Sequence, residues 1–159
     1  MEILVLTISD RASRGVYNDE SGPAIEKILR ERFPDARIAR RIVADEISEI
    51  VEVFQKNLHC DFILTTGGTG LSPRDVTPEA TASFCDRLIP GIVEILRSES
   101  WKQTPQAMLS RGTAGQKGKT ILVNFPGSVK AAEFCTLLML PVMEHAPLMI
   151  IGGGHEKGG

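Results

Sequence analysis

With 159 residues, 42% of them hydrophobic and 24% charged, the chain has the balance of one globular domain. Those proportions exclude a disordered chain, a collagen-like repeat and a disulfide miniprotein, and a net charge of −2 argues against a general binder of nucleic-acid phosphates. No stretch reaches the ~18 apolar residues of a membrane span, and the apolar start follows an acid, Glu2, where a signal peptide carries positive charge. The expectation is a cytoplasmic protein whose partners are neither membrane nor nucleic acid.

The chain alternates strand-like and helix-like runs from its first residues. EILVLTI, residues 2–8, is short, apolar and β-branched, as suits a strand covered on both faces, and it ends in a polar loop over 9–20. A helix is expected over 23–33, with Ile25, Ile28 and Leu29 on one face and Pro34 as its stop. A second strand is expected over 36–43. Asp45 then reads as a helix N-cap accepting from the amide of Ser48, followed by Ile47, Ile50, Val51, Phe54 and Leu58 at helical spacing. DFILTT, residues 61–66, is a third strand running into Gly67, Gly68, Thr69 and Gly70.

Thr77 and Pro78 read as N-cap and first residue of a helix ending near Cys85, and a further helix is expected over 90–101. GQKGK, residues 115–119, reads as a hairpin tip between a first arm at 109–114 and a strand over 120–125. An apolar helix over 129–140 is expected to break or kink at Pro141 before a second helical segment to Ile151. One domain over 1–151 and an unstructured tail over 152–159 complete the chain. The sum is a three-layer α/β fold with a largely parallel sheet and helices on both faces, its crossovers right-handed.

In such sheets ligands bind beyond the carboxyl ends of the strands. There the sequence places Thr7, Ser9 and Asp10, then Asp45, then the run from Thr65 to Gly70, and last Pro126, Gly127 and Ser128. Glycines at a strand end permit positive φ and close backbone approach, so successive amides can hold an anion such as phosphate, with the Thr66 and Thr69 hydroxyls as further donors. Asp75 follows, and a carboxylate beside phosphate is repulsive unless a cation such as magnesium lies between them, with Asp45 as the natural second acid. Each signal has a plainer reading: a tight turn for the glycines, a helix cap for Asp45, a loop acid for Asp10, solvated charges for Arg74 and Arg111.

Gly118, Lys119 and Thr120 look like the tail of a phosphate loop but lead into a strand where such a loop opens a helix, so they read as part of a hairpin. His59, His145 and His155 lie far apart, without triad or metal spacing. Cys60, Cys85 and Cys135 form no CxxC pair and read as small apolar residues.

TTGGTGLSPRDVTPEA, residues 65–80, closely resembles the signature of the molybdopterin-binding fold of molybdenum-cofactor biosynthesis, shared by MogA and MoaB proteins, the gephyrin amino-terminal domain and a domain of MoeA. VLTISDRASRGVYNDESGP, residues 5–23, resembles the MogA and MoaB group in particular. MLSRGTAG, residues 108–115, and the Pro126-Gly127-Ser128 turn match two further blocks in the expected order. The resemblance implies an adenylyltransferase: the terminal phosphate of molybdopterin attacks the α-phosphorus of Mg-ATP, giving adenylyl-molybdopterin and pyrophosphate. It implies Asp45 and Asp75 as catalytic acids and magnesium ligands, and Gly67, Gly68, Thr69 and Gly70 as a phosphate cradle. Ser9, Asp10, Thr66, Arg111, Pro126, Gly127 and Ser128 would line the pocket. A homotrimer handing its product to the molybdate-inserting enzyme is implied as well, and the alternative is a non-catalytic molybdopterin carrier. Two positions depart from the family pattern: Val129 stands in place of a common proline, and Gly112 in place of a common alanine.

Overall fold

The computed structural model describes residues 1–152, so the tail expected over 152–159 lies, beyond Gly152, outside the described residues. Six strands, β1 (Glu2–Ile8), β2 (Arg37–Val43), β3 (Phe62–Thr66), β4 (Arg87–Leu88), β5 (Ala114–Lys117) and β6 (Thr120–Phe125), form one sheet in the order β2-β1-β3-β6-β5-β4. The first four in that order are parallel, and β5 and β4 join antiparallel at one edge.

Alternation along the buried strands builds the expected three layers. Ile3, Val5, Phe62, Leu64, Ile121, Val123 and Phe125 face one core, shared with α2 (Ser21–Arg32), α5 (Pro90–Trp101) and α6 (Val129–Ile150). Leu4, Leu6, Ile8, Ile63 and Leu122 face the other, shared with α3 (Ile47–Lys56) and α4 (Thr77–Phe84). Burying both faces is what makes the central strands read as continuous apolar runs. A one-turn helix, α1 (Asp10–Ser13), occupies the expected polar loop, capped by the Ser9 side chain accepting from the Ala12 amide.

Several local expectations are corrected. Asp45 does not cap α3: Glu46 holds that position without a side-chain bond, and the Asp45 carboxylate turns instead to Asp10. Thr77 is likewise inside α4, and its hydroxyl donates to the Gly67 carbonyl at 2.8 Å, so tertiary partners have taken both groups from local capping. The first hairpin arm is β5, beginning at Ala114; residues 105–109 form a 3₁₀ turn, and the edge strand β4 is unanticipated. Gly118, at φ +56°, turns the hairpin, pinned where its amide and Lys117 Nζ both donate to Asp86.

Pro141 does not break α6, which runs unbroken over 22 residues with Pro141 and Pro147 inside it. As one element, α6 is long and apolar enough to span a membrane by length and composition, which corrects the expectation that no stretch comes close. Its inner face is core: Ala132, Cys135, Thr136, Met139 and Met143 are buried, whereas Leu137, Leu148 and Met149 are exposed.

Candidate functional site

The parallel register ends Thr7, Thr66 and Phe125 on one rim, with Ile8 beside Val43. From there the chain enters Gly67 and Gly68 at φ +98° and +65°, a left-handed conformation open to glycine. Space demands glycine too. A Cβ on Gly67 would stand 2.3 Å from the Ile8 carbonyl oxygen, and one on Gly68 would stand 2.3 Å from Thr77 Oγ1 and 2.9 Å from Asp45 Oδ1.

The four carbonyls of this turn are all tied from outside it. The Gly67 carbonyl accepts from the Thr77 hydroxyl, that of Gly68 from the Thr77 amide at 3.1 Å, that of Thr69 from the Arg111 amide at 2.9 Å, and that of Gly70 from Arg111 Nε at 2.7 Å. The Gly67 amide donates to the Phe125 carbonyl, and no acceptor among the described residues takes the amides of Gly68, Thr69 or Gly70. Three consecutive free donors on a loop whose acceptors are all satisfied make the turn a candidate anion cradle.

The acids sit against it. Asp45 and Asp10 exchange bonds: the Asp10 amide donates to Asp45 Oδ2 at 2.8 Å and the Asp45 amide to Asp10 Oδ1 at 3.0 Å. That leaves Asp45 Oδ1 beside Gly68. Asp75 accepts from the Ser72 amide at 3.0 Å, and its Oδ2 fills the space a Cβ on Gly70 would need. Burial pushes the Asp45 carboxyl above its usual range, and the nearby charges of Asp10 and Asp75 add to the rise. Asp10 goes the other way, held low by hydrogen bonds from the Arg74 guanidinium.

Two clefts meet at the turn. The smaller, about 240 Å³, is lined by Thr7, Ser9, Asp19, Asp45, Thr66 and Asp75 among others; the larger, about 720 Å³, by Val93, Leu96, Leu109, Lys130 and Cys135 among others. Gly67, Gly68, Asp75 and Gly127 border both. The N-terminus of α6 opens on the larger cleft, with Ser128 as its cap accepting from the Ala131 amide, so Val129 starts the helix without the family proline. Gly112 has the Asn124 carbonyl 3.0 Å from where an alanine Cβ would lie, a tight fit that favours glycine here.

Most expected site residues therefore converge, with different duties from those anticipated. Thr66 spends its proton on the Pro126 carbonyl at 2.8 Å, tying two strand ends together. Gly127 packs backbone to backbone, a Cβ there lying 3.2 Å from Gly67 Cα. Neither Asp10 nor Arg111 lines either cleft: Asp10 is occupied with Asp45 and Arg74, and Arg111 donates to the Gly70 and Asp75 carbonyls and pairs with Glu79, bracing the loop from behind. Sequence reasoning missed Thr77, whose Thr-Pro signal is fully explained by helix initiation, and Asp19, which takes the Thr7 hydroxyl and the Gly22 amide at the mouth of the smaller cleft. Burial pushes the Cys60, Cys85 and Cys135 thiols up to about 11, so none is an activated nucleophile.

Comparison with known proteins covers nearly the whole chain. Residues 4–145 match the family model described as "Probable molybdopterin binding domain". The chain is 40% identical over 156 residues to the molybdopterin adenylyltransferase of Helicobacter pylori J99, covering 96% of this chain and 89% of that one. It is 37% identical over 137 residues to the enzyme of that name from Escherichia coli K12, covering 84% and 70%. The structure of MoaB from Thermus thermophilus superposes with a TM-score of 0.86 at 40% identity, over 95% of this chain and 96% of that one, and a MogA structure with 0.89 at 33%, over 94% and 99%. The chain belongs to the molybdopterin-binding domain family of molybdenum-cofactor biosynthesis, alongside MogA and MoaB.

Proposed function

We propose that the protein is a molybdopterin adenylyltransferase that uses Mg-ATP. The observation that carries this reading is the Gly67–Gly70 turn, which offers three unpaired amides to an anion while two carboxylates stand against its glycines. A passive carrier has no use for carboxylates beside a bound phosphate. The larger cleft takes the pterin, its terminal phosphate lying on the amides near the N-terminus of α6, and the triphosphate of ATP enters by the smaller cleft.

In this reaction a pterin phosphate oxygen forms a bond to the α-phosphorus of ATP, the bond from that phosphorus to the bridging oxygen breaks, and pyrophosphate leaves with the electron pair. The chain contributes alignment of two phosphates that repel each other and charge opposite the one they develop. Among the described residues no three His, Cys, Asp or Glu side chains converge as a protein-only metal cage. Asp45 Oδ1 and Asp75, one beside Gly68 and the other beside Gly70, would be the protein ligands of a divalent cation that takes its remaining ligands from phosphate and water. Such a cation would neutralise phosphate charge and relieve the unfavourable ionisation of Asp45.

The homotrimer is carried over from the resemblance to MogA and MoaB proteins, and the exposed Leu137, Leu148 and Met149 on α6 offer apolar surface that contact between copies of the chain would cover. The product, an activated phosphoanhydride, passes to the molybdate-inserting enzyme, and the reaction belongs in the cytoplasm, where ATP is made available.

The test is incubation of the protein with molybdopterin, ATP and magnesium, following adenylylated pterin and pyrophosphate with and without chelator. Magnesium-dependent product supports the reading. Tight pterin binding without product identifies a carrier instead.

A further inference from the structure

We infer that Arg74 is a positioning residue that fixes the separation of the two carboxylates, an inference that rests on the site reading above. Arg74 precedes Asp75 directly in the chain, so whatever holds its guanidinium also holds the start of the Asp75 loop. Its Nε donates to Asp10 Oδ2 and its Nη2 to Asp10 Oδ1, each at 3.0 Å, while Nη1 pairs with Glu46 Oε1 at 2.8 Å. Both partners belong to the other acid. Glu46 is the residue after Asp45, and Asp10 and Asp45 each donate a backbone amide to the other's carboxylate.

The guanidinium thus spans from the loop of one carboxylate to both flanks of the other, using three nitrogens in one plane. Exposed single ion pairs add little to stability, and Arg74 is 52% exposed, so the expected consequence is geometric rather than thermodynamic. Two carboxylates that share one cation must keep a fixed spacing, and a misplacement of about 1 Å can cost on the order of 100-fold in rate. Lysine cannot substitute, because a single ammonium cannot serve Asp10 bidentately and reach Glu46 as well.

The experiment compares the wild-type protein with Arg74→Met, Arg74→Lys, Glu46→Gln, Asp10→Asn and the Asp10→Asn/Arg74→Met pair. Three quantities are read: turnover, the molybdopterin dissociation constant by equilibrium dialysis, and Mn²⁺ affinity by electron paramagnetic resonance with molybdopterin and a non-hydrolysable ATP analogue present. Arg74→Met is expected to lower turnover by about 10- to 100-fold and to weaken Mn²⁺ binding, with molybdopterin affinity and thermal midpoint little changed. Arg74→Lys recovers little of either loss, Glu46→Gln shows a smaller loss of the same kind, and Arg74→Met costs less on top of Asp10→Asn than it does alone, because only its contact with Glu46 and one remaining acceptor at position 10 are then left to lose. Wild-type turnover and Mn²⁺ affinity in a folded Arg74→Met protein would overturn the assignment. Full rescue by lysine would overturn it as well, reducing Arg74 to a charge, and so would a loss confined to pterin affinity. A wild-type protein that binds no Mn²⁺ with both substrates present would instead sink the underlying site reading, and this inference with it.

Discussion

The two clefts on either side of the Gly67–Gly68 turn are made of different materials. The larger is walled by side chains of α5, the 3₁₀ turn and α6, including Val93, Leu96, Leu109 and Cys135, and its charged lining is sparse. The smaller is walled by strand ends and their loops, and it gathers Asp19, Asp45 and Asp75 into a third of the volume. Helix faces supply apolar surface because their stripe is already selected for burial, whereas strand ends supply unpaired backbone and short polar side chains. One fold can thus hold a ring on one side and manage phosphate charge on the other, with the glycine turn as the shared wall.

If that division of labour is right, damage to the polar side should stop chemistry and spare pterin binding. Asp75→Asn and Asp45→Asn are each expected to lower turnover by about 100- to 1,000-fold, on the scale of losing one transition-state electrostatic partner. Molybdopterin affinity, measured separately by equilibrium dialysis, should stay close to wild type. A parallel fall in affinity would show that the carboxylates serve both clefts alike.

The shared wall should be less forgiving still of shape. Gly67→Ala places a methyl 2.3 Å from the Ile8 carbonyl at φ +98°, and the combined overlap and left-handed strain are expected to cost about 3 kcal/mol, read from urea unfolding. Gly15→Ala, at φ +71° with open space around it, carries the conformational cost alone, about 1 kcal/mol. Equal losses at the two positions would deny that Gly67 is fixed by close approach.

Beneath the larger cleft lies one buried polar knot. Asn124 donates to the Thr65 and Thr81 hydroxyls at 3.0 and 2.9 Å and accepts from the Thr113 amide at 3.1 Å. Asn124→Leu leaves those partners unsatisfied and is expected to cost about 2 kcal/mol, checked as a lowered urea midpoint. Retained stability would mean that water replaces the amide there.

Much of this was legible in the sequence because it is local. β6 and α5 fall where alternation, proline and polar flanks place them, and the rim residues follow from a parallel sheet. What was not legible is tertiary competition for short-range groups. Asp45 and Thr77 carry strong capping signals, yet a partner 35 residues away takes one and a glycine carbonyl takes the other. Pro141 reads as a break because its missing amide is costly in isolation. Packing of Cys135, Met139 and Met143 against the sheet carries the helix through it. Arg111 and Arg74 could not be told from solvated charges until the fold brought Gly70 and Asp10 to them.

The smallest expected effect separates Asp45, which lines the polar cleft, from Asp10, which is bonded to it. Hydrogen bonding to Arg74 holds Asp10 below the usual carboxylate range, so the folded state binds fewer protons there than the unfolded chain. Its contribution is fully present above the ordinary value of about 3.9 and is lost as pH falls through the lowered folded value. Burial raises Asp45, so its sign is reversed: its contribution is present below about 3.9 and is lost as pH rises through the raised folded value. Urea midpoints taken from about pH 3 to 7 should therefore show Asp10→Asn losing ground to wild type as pH rises, and Asp45→Asn gaining it. A flat or falling difference for Asp45→Asn would mean that its burial is relieved by water. Repeating the series with magnesium and ATP should shrink the Asp45→Asn advantage near neutral pH, because a cation bound between the carboxylates stabilises the ionised wild-type side chain that the amide cannot replace.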